Sequence, residues 1–275
     1  MTIKEINEAI DEGEALKTIA AAYTEISSLR LKRIRHEVIR TRAFFVEVLN
    51  IYAMLKHVAA KKTVTPELQG KTASIVLTSN NRFYGHIESD LINFFLNQKL
   101  TKGDIFVVGS SGKETFGSVK LPFKSIIFKD DVPNAVELKF VVNLIKNYQA
   151  VFVYFARFKS VLKQIPTVVD ITQSQAQAAE QSEMIEEAYI FEPEVNKILQ
   201  FFDSQLKQVL IEQTFLETEL ARTSSKLISM DQAQDNADQF LKQQKQLLTG
   251  ARMSLQNSQI LETISNLFRL TNERN

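Results

Sequence analysis

A repeat of apolar residues in the C-terminal third constrains the fold of this chain more than any other feature. Apolar residues recur at alternating steps of four and three, and the register continues through the polar stretch "SMDQAQDNADQFLKQQKQLLTGARMSLQN". A 3.5-residue repeat of this length is typical of a coiled coil. The predicted seam is Val195, Leu199, Phe202, Leu206, Val209, Gln213, Leu216, Leu220, Thr223, Leu227, Met230, Gln234, Ala237, Leu241, Gln244, Leu248, Ala251 and Leu255. Because only this narrow stripe is apolar, we expect a helix of roughly 110–120 Å, most of which projects into solvent.

A second apolar stripe occupies the N-terminal sixty residues. It predicts a long helix that ends at "AAKKTVTPELQG", where Pro66 and Gly70 are stop signals. The predicted stripe is Ile3, Ile6, Ile10, Leu16, Ile19, Tyr23 and Ile26, followed after a one-residue slip by Leu31, Ile34, Val38, Thr41, Phe45, Val48, Tyr52 and Leu55. Two seamed helices at opposite ends of one chain can bury their stripes against each other. The simplest prediction is an antiparallel coiled coil within the chain.

Between the two helices the apolar period changes. The segments "TASIVLTSN", "DIFVVGSSGK" and "AVFVYFARFKSV" are predicted strands, and "ESDLINFFLNQKL" and "VELKFVVNLIKNY" are predicted helices. Strands that alternate with helices of this length favour a Rossmann-like α/β domain with a mainly parallel sheet. The predicted division is therefore an N-terminal coiled-coil helix (1–62), an α/β domain (72–172), a polar linker and return segment (173–193) and a C-terminal coiled-coil helix (194–275).

Composition excludes several classes of protein. The chain has 275 residues with 33 Lys and Arg against 32 Asp and Glu, so it lacks the basic charge of a nucleic-acid-binding domain. It contains no cysteine, which excludes disulfides, thiolate zinc sites and cysteine nucleophiles. Apolar runs such as "AVFVYFA" fall short of the roughly 20 residues that span a bilayer. We therefore expect a soluble protein whose association with a membrane depends on partners.

Four candidate sites of chemistry each have a plainer interpretation. The segment "GSSGK" follows a strand, but Gly109 and Gly112 stand too close together for a phosphate loop and Glu114 follows the lysine, which favours a simple turn. The histidines, His36, His57 and His86, have no ligand partner at metal spacing. The acidic pairs in "MIEE" and "DD" (Asp130 and Asp131) are interpreted as solvated surface. The basic run "LRLKRIRHEVIRTR" is interpreted as rod surface or as the contact for an acidic partner. No cofactor, metal or catalytic residue is predicted.

The order of several short motifs resembles the gamma subunit of F-type ATP synthases. The N-terminal segment is similar to the family's first helix without a gap, at Ile6, Ile10, Ile19, Ala22, Ile26, Leu31 and Arg33. In the middle domain, Ser79 and Gly85 remain from a glycine-rich loop, and Tyr154, Phe158, Ser160, Gln164 and Pro166 follow a family segment. "YIFEPEVNKIL" is similar to the return signature. The C-terminal matches are Met230, Ala233, Asp235, Asn236, Ala237, Ala251, Arg252, Ile260 and Glu262.

The resemblance implies a function as the central rotor shaft of an ATP synthase or ATPase. Its implied partners are the alpha and beta subunits of the nucleotide-binding ring, the epsilon subunit and the membrane rotor ring. It would be a peripheral protein at the cytoplasmic face of the cell membrane and non-catalytic by itself. The implied contacts with the ring are Arg252, Gln256, Asn257, Gln259 and Arg33. The implied contacts of the foot with the membrane rotor or epsilon are Glu212 and Glu217.

Departures from the family pattern keep an alternative within the family open. Members usually carry glutamate near Arg222, arginine at Lys226, glutamine at Met253 and threonine at Asn257; the methionine expected at Tyr23 and the lysine expected at Ala21 are also missing. This divergence is typical of the shaft of a specialised F-type-like motor with another task. Outside the family, the alternatives are a non-enzymatic coiled-coil scaffold and a solitary nucleotide-binding enzyme built on the middle domain. The failed phosphate loop and the lost glycines argue against the enzyme.

Overall fold

The computed structural model describes residues 2–60, 71–81, 83–98, 103–119, 121–171 and 195–272. Two long helices, α1 (Ile3–Ala60) and α5 (Val195–Asn272), stand at the two ends of the chain, as the repeats predict. The predicted linker and the "YIFEP" return segment lie outside the described residues. The chain forms two compact units. The first contains Met1–Ile26 and Leu227–Asn275, and the second contains Ser27–Lys226.

The first unit is an antiparallel pair of helices. Lys17 of α1 forms an ion pair with Asp238 of α5 at 2.6 Å, and Glu14 pairs with Lys245 at 3.1 Å. As residue numbers rise along α1, those of their partners therefore fall along α5. Seam positions from Gln234 to Ala251 are less exposed than the residues around them, and Leu241 is buried. The predicted seam of α5 is confirmed over this stretch.

The predicted stripe of α1 is wrong between Ile10 and Leu31. Leu16, Ile19, Tyr23 and Ile26 are 37–63% exposed, and each precedes the true seam residue by one position. The seam runs without a slip through Gly13, Lys17, Ala20, Thr24 and Ser27, which are buried or half-buried. Small residues allow the helices to approach closely, since a Cβ added to Gly13 would lie 2.9 Å from Cδ2 of Leu241. An uninterrupted 3.5-residue register keeps Ile6 and Ile10 buried and leaves the larger side chains in solvent.

The second unit is built around a five-stranded sheet. The strands are β1 (Thr72–Leu77), β2 (Asp104–Val108), β3 (Lys124–Ile126), β4 (Ala150–Ser160) and β5 (Lys163–Asp170), in the order β3-β2-β1-β4-β5. The first four are parallel and β5 pairs antiparallel with β4. The predicted α/β fold with a mainly parallel sheet is confirmed.

Helices cover both faces of this sheet. The shorter helices are α2 (Ile87–Asn97), α3 (Ser110–Ser118) and α4 (Ala135–Ile145). Side chains of α2 and α3 pack on one face, around Tyr154 and Phe116. Side chains of α4 and α5 pack on the other face, where Leu210, Ile211 and Phe215 join the largest buried cluster. Alternate residues of β1 belong to these two clusters, as the period of two in a strand requires.

Three elements depart from the sequence expectation. The segment "GSSGK", predicted as a turn, enters α3 at Ser110. The strand β3 was not predicted because it has only three residues, and β5 was not predicted because Pro166 interrupts its apolar pattern. Proline fits there because β5 lies at an edge of the sheet, where one side of the strand has no ladder to complete.

Candidate functional site

The C-terminal part of α5 is exposed on every side. All side chains from Arg252 to Asn266 are exposed, whereas Ala251, one residue earlier, is half-buried. Leu255, predicted as the last seam residue, is 49% exposed, so the prediction for this position is wrong. The reason is the length of α1, which begins at Ile3 and buries Ile6 and Ile10 in a cluster with Leu241, Leu248 and Ala251.

Helical periodicity divides this exposed part into two chemically different faces. Arg252, Gln256 and Gln259 follow one another at steps of four and three, so they share one face. Asn257 is rotated by roughly 140° from Arg252 and belongs to the face of Met253, Ile260 and Ile264. The structure therefore brings together three of the predicted ring-contact residues of α5 and places Asn257 on the other, mostly apolar face.

The polar face is continuous with a charged groove in the first unit. Lys245 and Thr249 stand seven and three residues before Arg252 and line an open groove with Glu14, Lys17 and Asp238. The ion pairs Lys17–Asp238 and Glu14–Lys245 lie in this groove, which Lys242 also lines. Arg252 has no ion pair or hydrogen bond with the described part of the chain. Its guanidinium group can therefore receive a carboxylate from a partner through two parallel hydrogen bonds.

Arg33 belongs to the second unit and is also exposed. Its side chain is 84% exposed, and its Nε lies 3.6 Å from the carboxylate of Glu37 one turn later. Such a surface pair contributes little to stability. Other arginines of the same basic run bind within the chain: Arg30 pairs with Glu219 at 2.7 Å and Arg42 with Glu217 at 2.7 Å. Both arginines lie at the surface, as the interpretation of the run as rod surface predicts, but their guanidinium groups bind carboxylates of the same chain.

The two glutamates predicted at the foot have different environments. Glu212 is half-buried, and desolvation raises its pKa despite the opposing charge of Arg40. Glu217 is 4% exposed and accepts hydrogen bonds from Nε and Nη2 of Arg42 at 3.1 and 2.7 Å. It also accepts one from Gln213 at 3.2 Å. These contacts give Glu217 a role inside the chain, and Glu212 is the more accessible of the two.

A buried polar network lies at the carboxyl end of β1. Asp131 is 6% exposed and accepts hydrogen bonds from the Asn80 N–H at 2.6 Å, from Asn81 at 2.8 Å and from the Tyr84 hydroxyl at 2.8 Å. Burial opposes ionisation, but these donors and the charge of Arg222 outweigh it and lower the pKa of Asp131. The sequence interpretation of "DD" as solvated surface is therefore wrong for Asp131. Its position after β3, at the carboxyl edge of a parallel sheet, is the signal that was missed.

The first N–H groups of α3 donate hydrogen bonds to acceptors in the loop after β1. The N–H groups of Ser110, Ser111 and Gly112 donate to Asn80 Oδ1, Ser79 O and Thr78 Oγ1 at 3.1, 3.0 and 3.0 Å. In a phosphate-binding loop these groups would point at the ligand. Here the chain itself satisfies them, although the segment begins a helix rather than the predicted turn. Within the described ranges, no three His, Cys, Asp or Glu residues are grouped as metal ligands.

The fold and the exposed helix end define a coiled-coil stalk protein with an attached α/β domain. The protein family described as ATP synthase matches residues 2–266. The chain belongs to the ATP synthase family.

Relatives and solved structures agree with this assignment over nearly the full length. The ATP synthase gamma chain of Ruthia magnifica is 22% identical over 282 residues, covering 95% of this chain and 97% of the relative. That of Staphylococcus haemolyticus is 22% identical over 282 residues, covering 96% and 97%. The fold is similar to a chain of the Euglena gracilis mitochondrial ATP synthase, with a TM-score of 0.69, 14% identity and coverage of 99% and 96%. A chain from the central stalk and c-ring of the Tetrahymena thermophila mitochondrial ATP synthase is also similar, with a TM-score of 0.52 and 17% identity. The match covers 80% of this chain and 98% of that chain.

Family, relatives and fold together support the rotor-subunit role that the sequence predicts. No helix in the described part of the chain has the length and apolar character needed to cross a bilayer.

Proposed function

We propose that this subunit couples rotation of a membrane rotor ring to nucleotide binding in a ring of alpha and beta subunits. The observation that carries the proposal is the bare end of α5, which continues past its partner helix with one polar and one apolar face. An isolated helix of this composition is only marginally stable in water, because most helical stability comes from packing against other elements. Inside a ring, a long helix stiffened by a seam can change its contacts as it turns, so each ring subunit meets a different face in turn.

Arg252 is the proposed contact with a carboxylate of the ring, and Gln256 and Gln259 supply further donors from the same face. Arg33 is a separate proposed contact on α1. Asn257, on the apolar face with Met253 and Ile260, would contact the ring at a different angle of rotation. A bidentate arginine–carboxylate pair favours one orientation of the shaft, and this preference couples rotation to the affinity of a neighbouring nucleotide site.

The sheet domain is the proposed foot, with contacts to the membrane rotor ring and the epsilon subunit. The chain is then a peripheral protein of the cytoplasmic face of the cell membrane. Glu212 is the proposed contact residue of the foot. The burial of Glu217 beside Arg42 argues for an indirect contribution, in which it holds α1 against α5.

The test is ATP hydrolysis by complexes assembled from the alpha and beta subunits with this chain. We expect wild-type chain to stimulate hydrolysis, and Arg252→Ala to lower turnover without preventing assembly, because the seam ends at Ala251. Lys242→Ala, another exposed cation of α5, is the matched control and should leave turnover unchanged. Equal rates for Arg252→Ala and Lys242→Ala would contradict the role of Arg252, and no stimulation by wild type would contradict the proposed function.

A second candidate is the same rotary action in a specialised ATPase motor with another task. It is favoured by two departures from the family pattern. Met253 replaces the usual glutamine and makes one face of the exposed end more apolar, and Asn257 replaces the usual threonine. Purification of the native complex followed by mass spectrometry distinguishes the two. A membrane rotor ring with alpha, beta and epsilon subunits supports the synthase, and a different set of membrane partners supports the specialised motor.

A further inference from the structure

Arg222 of α5 lies at the position where sheets of this kind bind their ligands. The strand order runs outward from β1 to β3 on one side and resumes with β4 on the other, so the order reverses between β1 and β4. Open α/β sheets bind ligands outside the carboxyl ends of the strands at this point. Here Nη2 of Arg222 donates to the carbonyl oxygen of Leu77, the last residue of β1, at 2.7 Å.

Arg222 itself is buried at this point. The residue is 2% exposed, and its Nε lies 3.5 Å from Oε1 of Glu88, at the start of α2. Glu88 in turn accepts hydrogen bonds from the Ser79 N–H at 2.8 Å and the Ser111 hydroxyl at 2.7 Å. One guanidinium group therefore connects α5 to β1 directly and to the starts of α2 and α3 through a single carboxylate.

Neighbouring residues of α5 reinforce this connection. Ala221 is fully buried in a cluster with Tyr84, Ile87 and Ala156. The Ser225 hydroxyl donates to the Tyr84 carbonyl at 2.7 Å. On another side of α5, Glu219 is 1% exposed and pairs with Arg30 of α1 at 2.7 Å. Within ten residues, α5 is thus held by buried charges to both the sheet and α1.

We infer that Arg222 occupies the switch point at the carboxyl end of β1 and locks the sheet to α5, so that the sheet transmits torque to this helix. The lock itself follows from the contacts, whereas its use in torque transmission rests on the proposed function. Buried ion pairs suit this task because they fix one arrangement of the packed elements. Arg222 is a positioning residue, since its effect passes through the orientation of the sheet relative to this helix.

The first experiment measures the lock in the isolated full chain by hydrogen exchange. We expect Arg222→Met to accelerate exchange in Thr72–Leu77 and Leu220–Lys226 about tenfold or more, because it removes a charge-assisted buried bond. Arg222→Lys should have a smaller effect, since it keeps the charge but loses the fork. Arg35→Met, at an exposed position of α1, should change neither segment. Equal exchange in Arg222→Met and wild type would overturn the lock, whatever the fate of the proposed function.

The second experiment uses the complete complex in liposomes and measures ions transported per ATP hydrolysed. We expect Arg222→Met to lower this ratio while hydrolysis continues, and Arg35→Met to leave it unchanged. The chain has no native cysteine, so Ala156→Cys with Ala221→Cys provides a single pair for oxidation across the buried cluster. Oxidation of this pair should restore the ratio in the Arg222→Met background, which a merely destabilised protein would not do.

The outcomes of the two experiments distinguish failure of the Arg222 lock from failure of the proposed function. A wild-type complex that neither hydrolyses ATP faster nor transports ions contradicts the proposed function and leaves the exchange result as the test of the lock. A working wild type with an unchanged ratio in Arg222→Met overturns torque transmission through Arg222. If Arg222→Met does not fold, Arg222→Lys decides in both experiments by the same criteria.

Discussion

Two isoleucines of α1 have opposite environments, although the apolar period of the sequence predicts that both are buried. Ile10 is 9% exposed and packs in a cluster with Leu241 of α5, whereas Ile19 is 53% exposed. Substitution by alanine at each position removes the same atoms from the same helix. The pair therefore tests the seam register of the first unit with the residue type held constant.

The expected magnitudes follow from burial. Replacing a buried isoleucine by alanine costs 2–5 kcal/mol in general. We expect about 2 kcal/mol for Ile10→Ala, since a seam one layer deep can partly close the cavity. We expect Ile19→Ala to stay within about 0.5 kcal/mol of wild type, because the side chain is already in water and alanine is the better helix former.

Native-state hydrogen exchange of residues 2–26 measures this difference in the full chain. An increase of about 30-fold in the opening constant corresponds to the expected loss for Ile10→Ala. Ile19→Ala should leave the constant within about threefold of wild type. Equal losses at the two positions, or a larger loss at Ile19, would show that the continuous register through Gly13 and Ala20 is wrong.

Three further predictions concern the second unit. Arg42→Met should destabilise it by about 1–3 kcal/mol, since Glu217 would keep a buried charge without its main counter-ion, and a second change of Glu217→Gln should recover part of the loss in urea unfolding. Asp131→Asn should destabilise the unit at pH 7. Because the folded pKa of Asp131 is lowered, its contribution is present above the ordinary value of about 4 and disappears as pH falls through the folded pKa, so unfolding curves of variant and wild type should converge there. Gly112→Ala should cost about 1–3 kcal/mol by overpacking, because its Cβ would lie 2.6 Å from Cγ1 of Val107.

Matched changes make these three predictions refutable. Arg35→Met controls for loss of an exposed arginine, and Gly117→Ala, where an added Cβ meets nothing within 4 Å, controls for the glycine. Asp130→Asn controls for the buried carboxylate, because Asp130 is exposed. A loss in any control equal to that of its partner would remove the structural explanation given for that partner.

The long helices were predictable because their 3.5-residue repeats extend over many turns. The main strands were predictable because each is a continuous apolar run between polar segments. The sequence did not predict the seam from Leu16 to Ile26, because a stripe of large residues and a stripe of small ones lie side by side on α1. Period alone favours the larger residues, whereas close approach of the helices requires Gly13 and Ala20. A glycine within a heptad repeat is the signal that favours the correct stripe.

The buried charges were not predictable from local pattern. Asp131 stands between two short elements and Glu217 on a long helix, and carboxylate side chains are usually exposed in such positions. Their burial depends on Asn80, Tyr84 and Arg42, which are distant in sequence. The same holds for α3, whose glycines and serines have low helix propensity but whose first N–H groups find acceptors in the loop after β1.

Two arginines of α5 show why environment, rather than motif, assigns a role on this helix. Arg222 is 2% exposed and binds the Leu77 carbonyl and the Glu88 carboxylate, so a partner could reach its guanidinium only by first opening the second unit. Arg252 is exposed and makes no ion pair or hydrogen bond with the described residues. An arginine whose donors are satisfied inside the chain holds that chain together, whereas one whose donors face water gains by exchanging water for a carboxylate. The family pattern alone would rank both residues by their match to a motif. The contacts instead assign Arg222 to the internal connection between sheet and helix, and leave Arg252 available for the contact with the ring that is proposed above.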